Sequence, residues 1–198
     1  MASILIPSLR PDALEECVKS IVSFTANYEI LIDSEPGGIY KGINRLFEEA
    51  VGEYIVHIPD DCVVMNGWLS AMISFMKTGV DLGAFRIKLE KFEDPPLPHY
   101  FGIKFAPFFC IRKNYAREIG GIFDPRFQSF YGDPDLALRV WRHGGKMAMC
   151  NQAKVMSLNR KDQVHKDSFA RFESEDKKKF YEKWGHLEHQ GQVSTASA

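Results

Sequence analysis

The chain has no apolar run of 18 residues, so no helix is expected to span a membrane. It has no excess of either charge: the formal net charge is -1, so no overall basic field points to nucleic acid. Its four cysteines, Cys17, Cys62, Cys110 and Cys150, include no C-x-x-C pair, and each sits in or beside an apolar run. Reduced, partly buried thiols are the expectation, which favours a reducing compartment. Ser8, Arg10, Pro11 and Asp12 interrupt the apolar start, so a signal peptide is not expected. A cytoplasmic protein follows, with contact at a membrane surface left open. Internal repeats and domain linkers are also missing. What remains is 198 residues of ordinary globular composition, 45% hydrophobic, enough for one domain with a real core.

The apolar pattern alternates between two periods. Ser3–Pro7 is a short buried strand ended by proline. Pro11–Val22 carries Leu14, Cys17, Val18, Ile21 and Val22 at helical spacing. Tyr28–Asp33 reads as a second strand, Ile39–Val51 as a second helix capped by Gly52, and Glu53–Pro59 as a third strand. Asn66–Lys77 reads as a helix with Asn66 as N-cap, and Val80–Leu89 as a fourth strand. That order predicts an α/β fold with a parallel sheet and right-handed crossovers. Ligands on such sheets bind beyond the carboxyl ends of the strands. Pro7-Ser8, Asp33 and Asp60-Asp61 therefore converge on one edge.

The second half is less regular. A proline-rich loop spans Glu90–His99, a strand Ala106–Arg112, and a short helix Asn114–Ile119. A helix from Asp133 or Pro134 ends at Gly144-Gly145. Lys146–Cys150 and Ala153–Met156 read as short strands, and Phe172–Trp184 as a charged helix. Gln190–Ala198 is small and polar, as in a disordered tail.

Two acidic clusters stand out. Asp60-Asp61 at a strand end suits a hard divalent cation that takes other ligands from phosphate and water. Pro59-Asp60-Asp61 is equally good turn chemistry. Asp133 at a helix start can act as a base on a bound substrate, or simply cap the helix with Pro134 at the first position. Asp33 can be a plain end-of-strand residue.

In this order the segments resemble a family 2 glycosyltransferase of the GT-A fold. The likeness runs through Ser3–Ser8, Glu29–Asp33, Gly42–Ile55 and Ile58–Leu69. It continues in Ile119–Asp124, Phe130–Arg139, Gly144–Lys146 and Lys183–Gly185. It implies a Rossmann-like three-layer α/β/α sandwich with a mainly parallel central sheet. Residues 1–185 would form one domain, with 1–89 binding the nucleotide sugar and 90–185 the acceptor, and 186–198 a disordered tail. It also implies a nucleotide-sugar donor, a divalent metal (Mn²⁺ or Mg²⁺) and inversion at the anomeric carbon. Asp33 matches the residue that contacts the base, usually uracil. Asp61 matches the metal-binding end of the D-x-D element, and Asp60 the position facing ribose or metal. Pro59 stands where many members have another Asp, and Val155–Asn159 lacks the metal-binding His of some members, leaving His165 as the candidate.

Asp133 matches the catalytic base, although many members carry Glu-Asp where this chain has Gly132-Asp133. An ordinary Asp, with a pKa of about 3.9, would be ionised and ready at neutral pH. Pro7, Ser8, Lys41 and Asn44 complete the expected donor site. Lys41 or Arg45 would serve phosphate, or else lie on a solvated helix face. Tyr131 and Asp135 are the expected acceptor contacts, with Phe127 and Phe130 as a stacking platform for sugar rings. Trp68, Phe75, Phe109 and Trp141 are expected in the core, and Lys177–Lys179 on a solvated face. The acceptor would be a glycan, lipid-linked or other hydroxyl. Two other readings stay open: a catalytically degenerate sugar-nucleotide or glycan-binding module, and a nucleotidyltransferase. The second lacks its glycine- and lysine-rich phosphate loop, since Pro7-Ser-Leu-Arg-Pro11 supplies none.

Overall fold

A computed structural model describes residues 1–89, 95–158 and 160–190. A seven-stranded sheet forms its middle layer. Strands β1 (Ala2–Pro7), β2 (Tyr28–Asp33) and β3 (Tyr54–His57) alternate with helices α1 (Pro11–Phe24) and α2 (Ile39–Glu49). Then follow β4 (Cys62–Val64), α3 (Trp68–Met76), β5 (Leu82–Leu89), the small hairpin β6 (His99–Tyr100) and β7 (Ile103–Lys104), and β8 (Phe109–Arg112). The chain continues through α4 (Lys113–Glu118), α5 (Gly132–Arg142), β9 (Met147–Ser157) and α6 (Gln163–Trp184) to a 3₁₀ helix, Gly185–Gln190. The sheet order is β2-β1-β3-β8-β5-β9-β4. β8 is antiparallel to both neighbours and β4 is antiparallel to β9; the other pairings are parallel.

Side-chain alternation along the central strands builds two cores. On one face Leu5, Ile55, Phe109 and Ile111 pack with Ile43 and Phe47 of α2, Leu136 and Val140 of α5, and Phe180 and Trp184 of α6. On the other face Ile4, Ile6, Val56 and Cys110 pack with Cys17 and Ile21 of α1 and Trp68 and Met72 of α3. Burial on both faces explains why β1 is a continuous apolar run rather than an alternating one. The result is the expected three-layer α/β/α sandwich. All four cysteines are free and buried.

Several boundaries differ from the sequence expectations. The parallel order is interrupted by β8, which comes from the second half of the chain and lies between β3 and β5. β4 was not foreseen: three residues after an Asp-Asp turn are too short to show a period. The two strands expected from Lys146 to Met156 are one, β9, with a register shift opposite Phe85/Arg86. Asn66 does not cap α3; Gly67 does, in the left-handed region that an amide side chain need not supply. α6 starts nine residues earlier than expected, capped by Asp162, whose carboxylate accepts the His165 N–H at 3.0 Å. Trp68 and Phe109 are fully buried, while Phe75 and Trp141 are half-buried. Residues 186–190, expected in the tail, belong to the 3₁₀ helix, with Leu187 buried. Residues 191–198 lie outside the described residues.

Candidate active site

The register places the end of β1 beside the end of β2, with Pro7 opposite Asp33. The Ser8 N–H donates to the Asp33 carbonyl at 2.8 Å. β3 ends at His57, and the chain turns through Asp60 and Asp61 into β4. The buried Ser8 hydroxyl donates to Asp60 Oδ2 at 2.7 Å. Arg10 Nη1 donates to Asp60 Oδ1 at 2.9 Å. The same guanidinium donates from Nε to Asp162 Oδ2 at 2.7 Å. One arginine thus joins the donor-side edge to the start of α6. Burial pushes the Asp60 carboxyl up from its ordinary value against the pull of Ser8 and Arg10. Asp162 goes the other way, down to about 2, held ionised by Arg10 and the His165 N–H. Asp61 is half-exposed, and its Oδ2 accepts the Arg160 N–H at 3.0 Å.

Asp33 forms a two-point pair with Arg45 of α2, at 2.7 and 2.8 Å. The helix approaches closely because Gly42 has no side chain: a Cβ there would lie 3.2 Å from Asp33 Cγ. Lys41 is exposed on the same helix. Asn44, expected in the donor site, faces the second half of the chain. Its amide is spent on the Phe123 backbone, donating to the carbonyl at 2.8 Å and accepting the N–H at 3.1 Å.

α5 opens at Gly132 after Tyr131, which sits in the left-handed region at φ 66°. Asp133 lies in the first turn, where the helix N-terminus faces it. Burial nevertheless pushes its carboxyl up to about 8, opposed by a hydrogen bond with the Tyr40 hydroxyl. The ordinary value expected for this carboxyl is thus raised by its burial beside Tyr40. Tyr40 packs so tightly that a Cβ on Gly132 would lie 2.6 Å from its ring. The start of α2 thus touches both centres: Tyr40 meets Asp133, while Gly42 and Arg45 meet Asp33.

The sequence profile of glycosyl transferase family 2 matches residues 4–131. The chain belongs to glycosyl transferase family 2. None of the curated proteins searched matches it. Among solved structures, GalNAc-T7 crystallised with UDP, GalNAc and Mn²⁺ superposes with a TM-score of 0.69 at 13% identity, covering 98% of this chain and 52% of that one. Residues 1–349 of S. aureus TarS, in complex with UDP-GlcNAc, give a TM-score of 0.70 at 12% identity over 94% of this chain and 65% of that one. At such identities the likeness shows the shared GT-A fold. The family 2 chain spans about half the length of the GalNAc-T7 chain.

In this family 2 member two expected acceptor contacts take structural roles. Asp135 is fully buried and paired with Arg139 at 2.8 Å and Lys183 at 2.6 Å, with the Trp184 indole N–H at 2.9 Å. It has no face left for an acceptor, and it accounts for the Lys183-Trp184 motif. Phe127 is 1% exposed and belongs to the core, so it cannot stack on a sugar. Tyr131 is half-buried, and its hydroxyl donates to Glu173 at 3.0 Å. Phe130 packs edge-on against the exposed Phe169. The Pro95–Pro98 loop lines an apolar cavity of about 270 Å³ with Phe85, Ile87, Pro107 and Met149. Residues 90–94 of the same expected loop lie outside the described residues.

Among the described residues no three His, Cys, Asp or Glu side chains gather as a metal cage. His165, in the first turn of α6, does not join Asp60 and Asp61 in such a group. A half-exposed Asp61 beside a buried Asp60 still fits a hard cation that draws its other ligands from a diphosphate and water. The sequence reading missed Arg10, Asp162 and Tyr40. Asp162 had a legible signal, an Asp just before a helical run; Arg10 and Tyr40 had none.

Proposed function

We propose that this family 2 member transfers a sugar from a nucleotide-sugar donor, a UDP-sugar, to the hydroxyl of an acceptor with inversion. Residues 1–89 would serve the donor and 90–185 the acceptor, which is a glycan, lipid-linked or other hydroxyl compound. The observation that carries the reading is the placement of α2 between two unlike carboxylates. Asp33, at the strand ends, is ion-paired with Arg45. Asp133, at the other contact, is half-buried with Tyr40 beside it and, among the described residues, no paired cation.

Asp33 would accept from the base, and Ser8 and the exposed Lys41 would face the phosphates. A divalent cation at Asp61, Mn²⁺ or Mg²⁺, would supply positive charge for the departing diphosphate. Asp133 takes the proton of the acceptor hydroxyl as its oxygen forms the new bond to the anomeric carbon and the bond to the diphosphate oxygen breaks. A carboxyl poised near 8 is a better proton acceptor than an ordinary one, once deprotonated. The solved TarS and GalNAc-T7 complexes, which carry UDP-GlcNAc and UDP respectively, support the donor class.

A panel of UDP-sugars tested by thermal shift with and without Mn²⁺ checks this reading. At least one donor should raise the melting temperature in a Mn²⁺-dependent way, and Asp61→Ala should remove the Mn²⁺ dependence. Binding without any transfer to sugar acceptors, or to water, would favour the non-catalytic binding module.

A further inference from the structure

α6 carries a carboxylate that neither the donor site nor the proposed chemistry uses. Asp176 is 0% exposed, and no arginine or lysine is paired with it among the described residues. Its oxygens instead accept three consecutive backbone N–H groups. Gln128 donates at 3.0 and 3.1 Å, Ser129 at 2.9 Å and Phe130 at 3.0 Å. Taking a carboxylate out of water is costly unless strong hydrogen bonds replace the lost hydration. Fully desolvated, Asp176 holds one short segment by every acceptor it has.

That segment leads directly into the base. Residues 128–130 precede Tyr131, whose left-handed backbone turns the chain into α5 and Asp133. Two further ties fix the same loop. Tyr131 reaches Glu173, three residues before Asp176 and so on the same helix face. From the opposite side, the Tyr40 N–H donates to the Gln128 carbonyl at 3.0 Å and the Ile39 N–H to the Ser129 hydroxyl at 3.3 Å. One loop is therefore clamped between α6 and the start of α2, the helix whose Tyr40 meets Asp133.

We infer that Asp176 is the positioning residue for Asp133: it pins the 128–130 loop so that the first turn of α5 presses its carboxyl against Tyr40 and away from water. The inference rests on Asp133 being the general base. Tyr40 faces Asp133 from α2. On its own helix, Asp135 and Arg139 pair with each other, and Asp135 also pairs with Lys183 of α6. Asp176 lies close enough to Tyr40 to act on it electrostatically. Removing its charge favours ionised Asp133, and loosening the loop restores hydration, which outweighs the weakened Tyr40 hydrogen bond because burial is the larger influence on Asp133.

The test needs no substrate. Carboxyl carbons labelled with ¹³C in aspartate are titrated by NMR, with Asp133→Asn assigning the Asp133 signal. In Asp176→Asn the Asp133 midpoint should fall by about one unit or more, while the thermal shift given by UDP with Mn²⁺ stays that of wild type. Glu173→Gln, which weakens only the Tyr131 tie, should move it in the same direction by less. If Asp176→Asn does not fold, a fall in Glu173→Gln supports the role, and an unmoved midpoint overturns it. A wild-type midpoint near 8 that is unchanged in folded Asp176→Asn overturns the positioning role alone. A wild-type midpoint in the ordinary carboxylate range instead contradicts the shielded base itself.

Discussion

The two ends of the site use the same residue type in opposite environments. At the strand ends Asp33 and Asp60 are each held by an arginine, Arg45 and Arg10. At the start of α5, Asp133 is half-buried beside Tyr40 and, among the described residues, has no cation paired with it. A guanidinium favours the ionised carboxylate and desolvation the protonated acid; at Asp60 burial outweighs Ser8 and Arg10, and at Asp133 it is opposed by the Tyr40 hydroxyl. In the proposed function the first pair would serve the donor and Asp133 would take the proton. Position in the motif does not by itself set the surroundings of an aspartate.

The largest effect should come from removing the proton acceptor. Asp133→Asn should lower transfer roughly a hundred- to ten-thousand-fold and leave donor binding intact. It should also change stability in a definite direction. The folded pKa of about 8 lies above the ordinary 3.8, so wild-type Asp133 contributes stability that is fully present below pH 4 and lost as pH rises to about 8. Asp133→Asn should therefore gain on wild type in melting temperature across that range, read by thermal melts at pH 5 and pH 8.

Next comes the guanidinium on the donor side. Arg10→Gln leaves Asp60, 2% exposed, with Ser8 as its remaining side-chain partner, and cuts the tie to Asp162. A loss of about 1–3 kcal/mol in urea unfolding is expected. A neutral result would mean that Asp60 readily takes a proton instead. The smallest effect belongs to Tyr40→Phe. It removes the hydrogen bond that favours ionised Asp133, so the midpoint should rise and the rate at pH 7.5 fall about two- to fivefold, recovering at higher pH.

Much of this architecture was legible in the chain. β1, β2 and β3 are short, apolar and separated by amphipathic stretches, which is enough to assign Pro7, Ser8, Asp33 and Asp60-Asp61 to one edge. The family likeness named the roles. β8 was placed as a strand but not between β3 and β5, because its pairing partners, Ile55 and Leu82 for Ile111, lie far away in the chain and leave no local period. The Arg10 network joins positions 10, 60 and 162, which only the fold brings together. Asp176 was hidden for another reason. It precedes Lys177-Lys178-Lys179 in a helix that reads as solvated, and its face becomes buried only when the 128–130 loop lies on it. A reference pKa likewise carries nothing of the burial that raises Asp133.

The most direct test is the pH dependence of transfer by the wild-type protein with a UDP-sugar donor and a sugar acceptor. If Asp133 is a shielded general base, the rate rises with pH through a midpoint of about 8 and levels off above it, because only the deprotonated carboxyl accepts the proton. A rate that is flat between about pH 6 and 9, with Asp133→Asn retaining it, would contradict the assignment.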